Sequence, residues 1–285
     1  MKTTFVLRVL AGTFLGVTAI ATTIAADVPP EKAENTLRQK LEQASAAEGR
    51  GETESARAIY VRATELYPAF AEAWAALGEH LRFYVHDADA ATVAFRKAIA
   101  AEHQDPYAAA YAWRGLGELE IKAGREDAGI GFFKKSLEAY ALADTHRSLC
   151  HLYCHQRKFK EAAEQARCAV ELSPNDAIAR MLYAAQLQRA GDTELARKEY
   201  EKALLAGGMD SHGESKEPVH CCVLYNAAGY LSVSGQNDAA LKMLQRFFET
   251  PNHRHLTRDE VVTDADFESL KDLPAFRKMI EVNFK

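Results

Sequence analysis

The feature that most constrains the fold is a recurrence of small residues about every 34 positions. Six segments align, and they begin at Leu37, Ala71, Ala110, Ala143, Ala177 and Cys221. The eighth place of each segment is small and holds Ala44, Gly78, Gly117, Cys150, Ala184 and Ala228. The twentieth place is also small and holds Ala56, Ala91 (after a one-residue insertion), Gly129, Ala162, Ala196 and Ala240. Each segment therefore predicts two amphipathic helices whose backbones approach closely at these places.

The fifteenth place marks a turn between the two helices. Glycine occupies it in four of the six segments, as Gly51, Gly124, Gly191 and Gly235. Glycine and proline are otherwise scarce, at 16 and 8 of 285 residues, which favours helices over a turn-rich sheet fold. One helical hairpin cannot cover its own apolar faces, so the hairpins are expected to stack on one another.

Trp74 with Gly78, and Trp113 with Gly117, complete a pattern that resembles the tetratricopeptide repeat family. The resemblance covers about residues 37–252. It implies an all-α, right-handed superhelical solenoid of about six helix-turn-helix units plus a C-terminal cap. The expected units are 37–70, 71–106, 110–142, 143–176, 177–210 and 221–252, preceded by a lead-in at 27–36.

The tail, residues 253–285, is expected to be the cap. Its segment from Asp264 to Phe276 is similar to the closing motif of many tetratricopeptide arrays. The resemblance implies that apolar side chains here cover the exposed end of the last repeat. These side chains are Phe267, Leu270, Phe276 and Ile280.

Residues 1–26 have the layout of a cleavable secretory signal. Lys2 and Arg8 supply positive charge, no charge follows up to Ala26, and small residues crowd the end. Cleavage after Ala25 or Ala26 would give a periplasmic or secreted protein with no stable membrane insertion. The alternative is an uncleaved inner-membrane anchor, because 18 uncharged residues just span a bilayer.

The family resemblance also implies a partner-binding groove lined by the first helix of each unit. By this resemblance, ten residues are expected to line the groove: Arg82, Phe83, Tyr111, Arg114, Lys122, Arg147, His151, His155, Arg189 and Tyr225. Arginine pairs a carboxylate through two hydrogen bonds, and aromatic rings give rigid contact area. A protein or peptide partner with an acidic segment or a chain-terminal carboxylate is therefore expected. The alternative is that these charges solvate an inner face and pair with Glu72, Glu79 and Glu118.

The sequence carries no recognised catalytic motif. It lacks G-x-S-x-G, H-E-x-x-H and a phosphate-cradling glycine loop. The net charge of −5 argues against a nucleic-acid partner. We therefore predict a non-catalytic, cofactor-free scaffold for protein–protein interaction.

Cysteine and histidine leave an alternative function open. Cys150, His151, Cys154 and His155 form one run, and the two histidines share a helix face. Imidazole suits zinc, copper or nickel, so a metal- or redox-responsive periplasmic protein is the second hypothesis. The spacing is one residue longer than the C-x-x-C-H of haem attachment, which disfavours haem. His253 and His255, with His220 and Cys221, are interpreted as surface polar residues.

Overall fold

The computed structural model describes residues 30–210, 212–215, 217–250 and 256–284. The predicted secretory signal lies outside these residues, as do His253 and His255. Within the described ranges the regular structure is helical, apart from one bridge between Phe70 and His103. None of the described helices combines the length and apolar character that crossing a bilayer requires. The predicted all-α fold class is confirmed.

The chain divides into two compact units after Ala141. The N-terminal unit contains three helical hairpins, built from α1 (Pro30–Gly49), α2 (Thr53–Leu66), α3 (Ala71–His80), α4 (Ala88–Ile99), α5 (Pro106–Lys122) and α6 (Glu126–Ala139). A π turn at Leu81–Val85 extends α3. A π turn accommodates one extra residue in a helix, so it explains the insertion seen in this repeat.

The C-terminal unit contains three further hairpins and a cap. The hairpins comprise α7 (Ala143–His155), α8 (Phe159–Leu172), α9 (Ala177–Ala190), α10 (Thr193–Ala206), α11 (Cys221–Val233) and α12 (Asn237–Glu249). The cap comprises α13 (Arg258–Thr263), a 3₁₀ turn (Ala265–Phe267) and α14 (Pro274–Asn283).

The small residues of the repeat lie where two helices of a hairpin meet. Ala44, Ala184 and Ala228 at the eighth place are fully buried. A Cβ added at Gly78 would lie 2.5 Å from the ring of Phe95, and one at Gly117 would lie 2.7 Å from Phe133. The backbones therefore approach too closely for a larger side chain, which is the physical reason for the repeat.

The fifteenth place is left-handed in all six hairpins. The four glycines have φ between 75° and 87°. His86 and Arg157 hold the equivalent places in the second and fourth hairpins, with φ of 59° and 58°. The turn geometry thus imposes a conformation that only glycine adopts without strain.

The N-terminal helix starts earlier than the repeat pattern indicates. α1 begins at Pro30, inside the segment expected as a lead-in. Ala33 and Leu37 are buried against Ala63, Phe70 and Ala73. Ala33 and Leu37 thus cover apolar residues of the second hairpin. This contact accounts for the part of α1 that precedes the aligned repeat.

The apolar side chains of the cap are buried in the core of the C-terminal unit. Phe267 and Leu270 are fully buried, and Phe276 and Ile280 nearly so. The ring of Phe267 meets that of Tyr225 edge-on, with centroids 5.1 Å apart. The cap therefore docks on the last hairpin, which it shields from solvent.

Candidate partner-binding surfaces

The first helices of the N-terminal unit carry a closed ring of two arginines and two glutamates, which we call the arginine–glutamate ring. Arg82 lies 2.7 Å from Glu79 and 2.5 Å from Glu118. Arg114 lies 2.9 Å from Glu118 and 3.3 Å from Glu79. All four side chains are largely buried, and that of Arg114 is 9% exposed. The two positive charges are therefore balanced within the ring.

Aromatic rings flank the arginine–glutamate ring. The Arg82 guanidinium lies 3.7 Å from the centroid of Phe83. The Arg114 guanidinium lies 4.8 Å from the centroid of Tyr111. Such stacking orients the planar guanidinium and holds the aromatic ring in place.

A tyrosine cluster, formed by Tyr107, Tyr111 and Tyr140, continues the surface. The Tyr107 hydroxyl donates to the Tyr111 hydroxyl over 3.2 Å. The rings of Tyr107 and Tyr140 meet edge-on, 5.6 Å between centroids. Tyr107 and Tyr140 are 51% and 50% exposed, and Phe83 is 53% exposed. A line of contacts with exposed aromatic rings at both ends thus runs from Phe83 to Tyr140.

Lys122 lies one helical turn beyond Glu118 on α5, on the same face as Arg114. Its side chain is exposed. None of the carboxylates in the described ranges lies within ion-pair distance of its amine. By contrast, Arg82 and Arg114, the predicted arginines of the same unit, are both in ion pairs.

The cap meets the predicted groove residues of the C-terminal unit. Arg189 donates to Asp266 over 2.6 Å and to the Ala265 carbonyl over 3.2 Å. Both charged side chains of this pair are 12% exposed. Tyr225 donates its hydroxyl proton to Asp264 over 2.8 Å. The chain's own acidic tail therefore occupies two positions predicted to bind a partner.

Burial and neighbouring charges shift the pKa values of this cluster. Burial raises the pKa of Asp264 to about 7, and the negative charge of Asp266 adds to the effect. Burial also raises the pKa of Tyr225, as does the adjacent Asp264. The imidazole of His151 keeps contact with solvent, but surrounding protein atoms lower its pKa by desolvation. Asp266 acts on His151 in the opposite direction.

Arg147 also has carboxylate partners. It lies 2.5 Å from Asp144 and 3.0 Å from Asp176. Every arginine of the predicted groove is thus in an ion pair. For Arg82 and Arg114 the partners are Glu79 and Glu118, as in the alternative in which these charges pair on an inner face. Glu72, the third glutamate of that alternative, does not belong to the arginine–glutamate ring. Burial raises the pKa of Glu72.

The alternative metal site on α7 is not assembled. Cys150 and Cys154 are buried free thiols that hydrogen-bond to each other, whereas His151 and His155 are exposed. Successive helical residues point about 100° apart, so these pairs face different directions. In the part of the chain that the structure describes, three ligands converge instead at His220, Cys221 and Cys222.

Sequence reasoning missed two exposed members of the tyrosine cluster. Tyr107 precedes the aligned start of the third repeat because α5 begins at Pro106. Asp105 caps that helix by accepting from the Ala108 amide, and proline stands at its first position. An Asp-Pro pair is a helix-start signal that would have placed Tyr107 on the first helix. Tyr140 follows the second helix, outside the places considered.

Comparison with known proteins identifies the class as a helical-repeat protein. A family model described as tetratricopeptide repeat matches residues 41–82, 80–144 and 152–212. These matches cover more than half of the 285 residues. The chain belongs to the tetratricopeptide repeat family.

Individual relatives are distant. The chain is 31% identical over 94 residues to "Protein CTR9 homolog" of Arabidopsis thaliana, which is 33% of this chain and 9% of that protein. It superimposes with a TM-score of 0.57 and 14% identity on a chain of the "APC/C hetero-tetramer Cut9-Hcn1", covering 95% of this chain and 53% of that one. For Pseudomonas aeruginosa pilF the TM-score is 0.55, the identity 18%, and the coverage 78% and 96%. These likenesses extend to the fold alone.

Proposed function

We propose that this chain is an exported, non-catalytic scaffold that binds a partner protein or peptide on the first-helix surface of its N-terminal unit. One observation carries the proposal: Phe83, Tyr107 and Tyr140 are exposed beside the charge-balanced arginine–glutamate ring. Tetratricopeptide repeats generally act as interaction scaffolds, and the family membership supports binding as the role. A preformed surface reduces the ordering cost of association, so most of the contact energy is available for affinity.

The charge pattern bears on the chemistry of the partner. An acidic segment would have to compete with Glu79 and Glu118 for arginines that are already paired. Truncating or replacing one member of a buried pair is costly, so such an exchange is unfavourable. Exposed aromatic rings instead favour apolar, aromatic or proline side chains of the partner. An acidic residue of the partner is accommodated best at Lys122.

In this proposal the C-terminal unit contributes less to partner binding than the N-terminal unit does. Arg189 and Tyr225 hold the cap, so their role is in folding. Arg147, His151 and His155 stay predicted contacts of the same unit. They are not required for capture by the N-terminal surface.

Partner capture tests the proposal. The bait is residues 27–285, with the double variant Phe83→Ser, Tyr107→Ser. The matched control is Val93→Ser, Leu205→Ser, which removes two exposed apolar side chains from second helices. We expect a partner that wild type and control retain and the Phe83/Tyr107 variant loses. Equal retention by the Phe83/Tyr107 variant would remove the first-helix surface from the proposal.

Export has a separate test because it rests on the layout of residues 1–26. We expect the intact mass of the protein isolated from its host to lack the first 25 or 26 residues. A full-length mass would contradict cleavage and favour an anchored scaffold.

A further inference from the structure

Three soft metal ligands converge at the start of α11. The Sγ atoms of Cys221 and Cys222 and a ring nitrogen of His220 all lie within 4.8 Å of one another. No other trio of His, Cys, Asp or Glu among the described residues meets this condition. The proposed partner surface does not include this cluster.

The local backbone explains the convergence. His220 is the N-cap of α11, with an extended backbone, and its Nδ1 accepts the Cys222 amide proton over 3.3 Å. This bond folds the imidazole back over the first helical turn, where the two cysteines begin the helix. The ring therefore lies beside the thiols rather than pointing away from them.

The cluster is closed on one side and open on the other. Cys221 is buried in the core that includes Met209 and Val223. Cys222 is half-buried, and His220 is exposed. An ion therefore has a path from solvent past the imidazole to the two sulfur atoms.

We propose that His220, Cys221 and Cys222 form a binding site for a thiophilic d¹⁰ cation of the Zn²⁺ class. Two thiolates balance the divalent charge and the neutral imidazole adds a nitrogen ligand, a donor set that is typical of zinc. The neutral ring has one lone pair, so the hydrogen bond from the Cys222 amide to Nδ1 is given up when the ring binds the ion. Bond lengths of about 2.3 Å to sulfur and about 2.0 Å to nitrogen place the ligand atoms about 3.5–3.8 Å apart in a tetrahedron. The three ligand atoms, now within 4.8 Å of one another, move closer together when the ion binds. A water molecule serves as the fourth ligand.

Binding exchanges protons for metal. The thiolate, not the thiol, binds a metal ion. Each divalent ion therefore displaces one proton from each thiol, forms two metal–sulfur bonds and releases two protons to solvent. Affinity falls as the pH is lowered.

Cadmium binding tests the proposal because thiolate-to-cadmium charge transfer absorbs in the ultraviolet. The sample is reduced, metal-free chain 27–285, titrated with Cd²⁺ in weak buffer. We expect one ion per chain, an absorption band with the intensity of two thiolates, and release of two protons. Zn²⁺ added afterwards displaces cadmium and removes the band.

Single substitutions test which residues bind the ion. We expect Cys222→Ser to lose the band and His220→Ala to weaken binding at least about tenfold. The matched controls are Cys154→Ser, from the buried pair on α7, and Cys168→Ser, a half-buried thiol on α8; both should bind as wild type does. Because Cys221 is in the core, Cys222→Ser is the decisive variant, with its helix content checked by circular dichroism.

Three results would overturn the site. Wild type would show no band, Cys222→Ser would keep it, or Cys154→Ser would lose it. Each result is independent of partner capture, so the metal site and the proposed scaffold stand or fail separately.

Discussion

The first helices of both units carry arginines beside aromatic rings, but the two units neutralise these arginines differently. In the N-terminal unit, Arg82 pairs with Glu118 and Arg114 pairs with Glu79, each on the neighbouring first helix. In the C-terminal unit, Arg189 pairs with Asp266 from the cap, 77 residues away along the chain. The first arrangement leaves aromatic rings exposed, and the second covers Tyr225.

This difference separates a surface suited to binding from a surface used in folding. The expected ligand, an acidic segment against arginine and aromatic side chains, is present in the C-terminal unit as Asp264 and Asp266. The N-terminal unit offers Phe83, Tyr107 and Tyr140 instead. Arginine and aromatic residues therefore indicate a contact, but they do not tell whether the partner is another chain.

The largest difference between the units is expected for two phenylalanines. Phe267 is fully buried in the cap, whereas Phe83 is half-exposed. Phe267→Ala should lower the free energy of unfolding of the C-terminal unit by about 4 kcal/mol. Phe83→Ala should change stability by less than about 0.5 kcal/mol. Urea denaturation checks both, and similar losses would abolish the distinction between folding and binding surfaces.

The buried pair of the cap provides the second contrast. Arg189→Ala leaves Asp266 buried without its charge partner and should cost about 3 kcal/mol. Arg167 is the control, because its pairs with Glu164 and Glu171 are exposed. Arg167→Ala should cost less than about 1 kcal/mol. A double-mutant cycle of Arg189 and Asp266 that gave no coupling energy would contradict docking of the cap through this pair.

Asp264 gives the cap a pH dependence. Because its pKa is raised to about 7, the folded chain binds this proton more tightly than the unfolded chain does. The stabilisation that Asp264 gives the folded chain is complete when the pH is below about 4, the pKa of an unfolded aspartate. It is lost as the pH rises through about 7. Between pH 5 and pH 8, wild type should lose about 2.5 kcal/mol relative to Asp264→Asn.

Urea denaturation of wild type and Asp264→Asn at both pH values measures this. The comparison with Asp264→Asn isolates the aspartate, because the lowered pKa of His151 acts in the opposite sense as the pH falls. Parallel stability profiles of the two proteins would place Asp264 in a solvated environment.

The smallest effects concern the turns, one in each unit. His86 and Arg157 hold left-handed backbones where the other hairpins have glycine. His86→Gly and Arg157→Gly should each raise the free energy of unfolding by about 1 kcal/mol, because the Cβ strain is removed. Gly191→Ala, the reverse change, should lower it by a similar amount. Thermal unfolding monitors all three, and a lower Tm for both glycine variants would contradict the strain.

The repeat itself was predictable from sequence because its cause is local. Each hairpin needs small residues at the same contacts and a left-handed residue in its turn. The π turn was visible as a one-residue insertion before Ala91. These features depend on neighbours within one repeat, so periodicity carries them.

The pairing of the site residues was less predictable because it depends on distant parts of the chain. The bond between Arg114 and Glu79 joins residues 35 positions apart, and that between Arg189 and Asp266 joins residues 77 apart. The sequence supplied Glu79 and Glu118 as alternative partners, without deciding between pairing and binding. Nothing in the repeat register indicated that the cap would reach Arg189.

Site-specific photo-crosslinking in the native host tests the central claim most directly. A photoreactive phenylalanine analogue replaces Phe83 or Tyr107 on the N-terminal first-helix surface. Val93 and Leu205, equally or more exposed on second helices, serve as control positions. We predict a specific adduct with a partner protein from positions 83 and 107 and none from the controls. Adducts of equal yield from the control positions, or none from 83 and 107 while His151 gives one, would contradict the assignment of the binding surface.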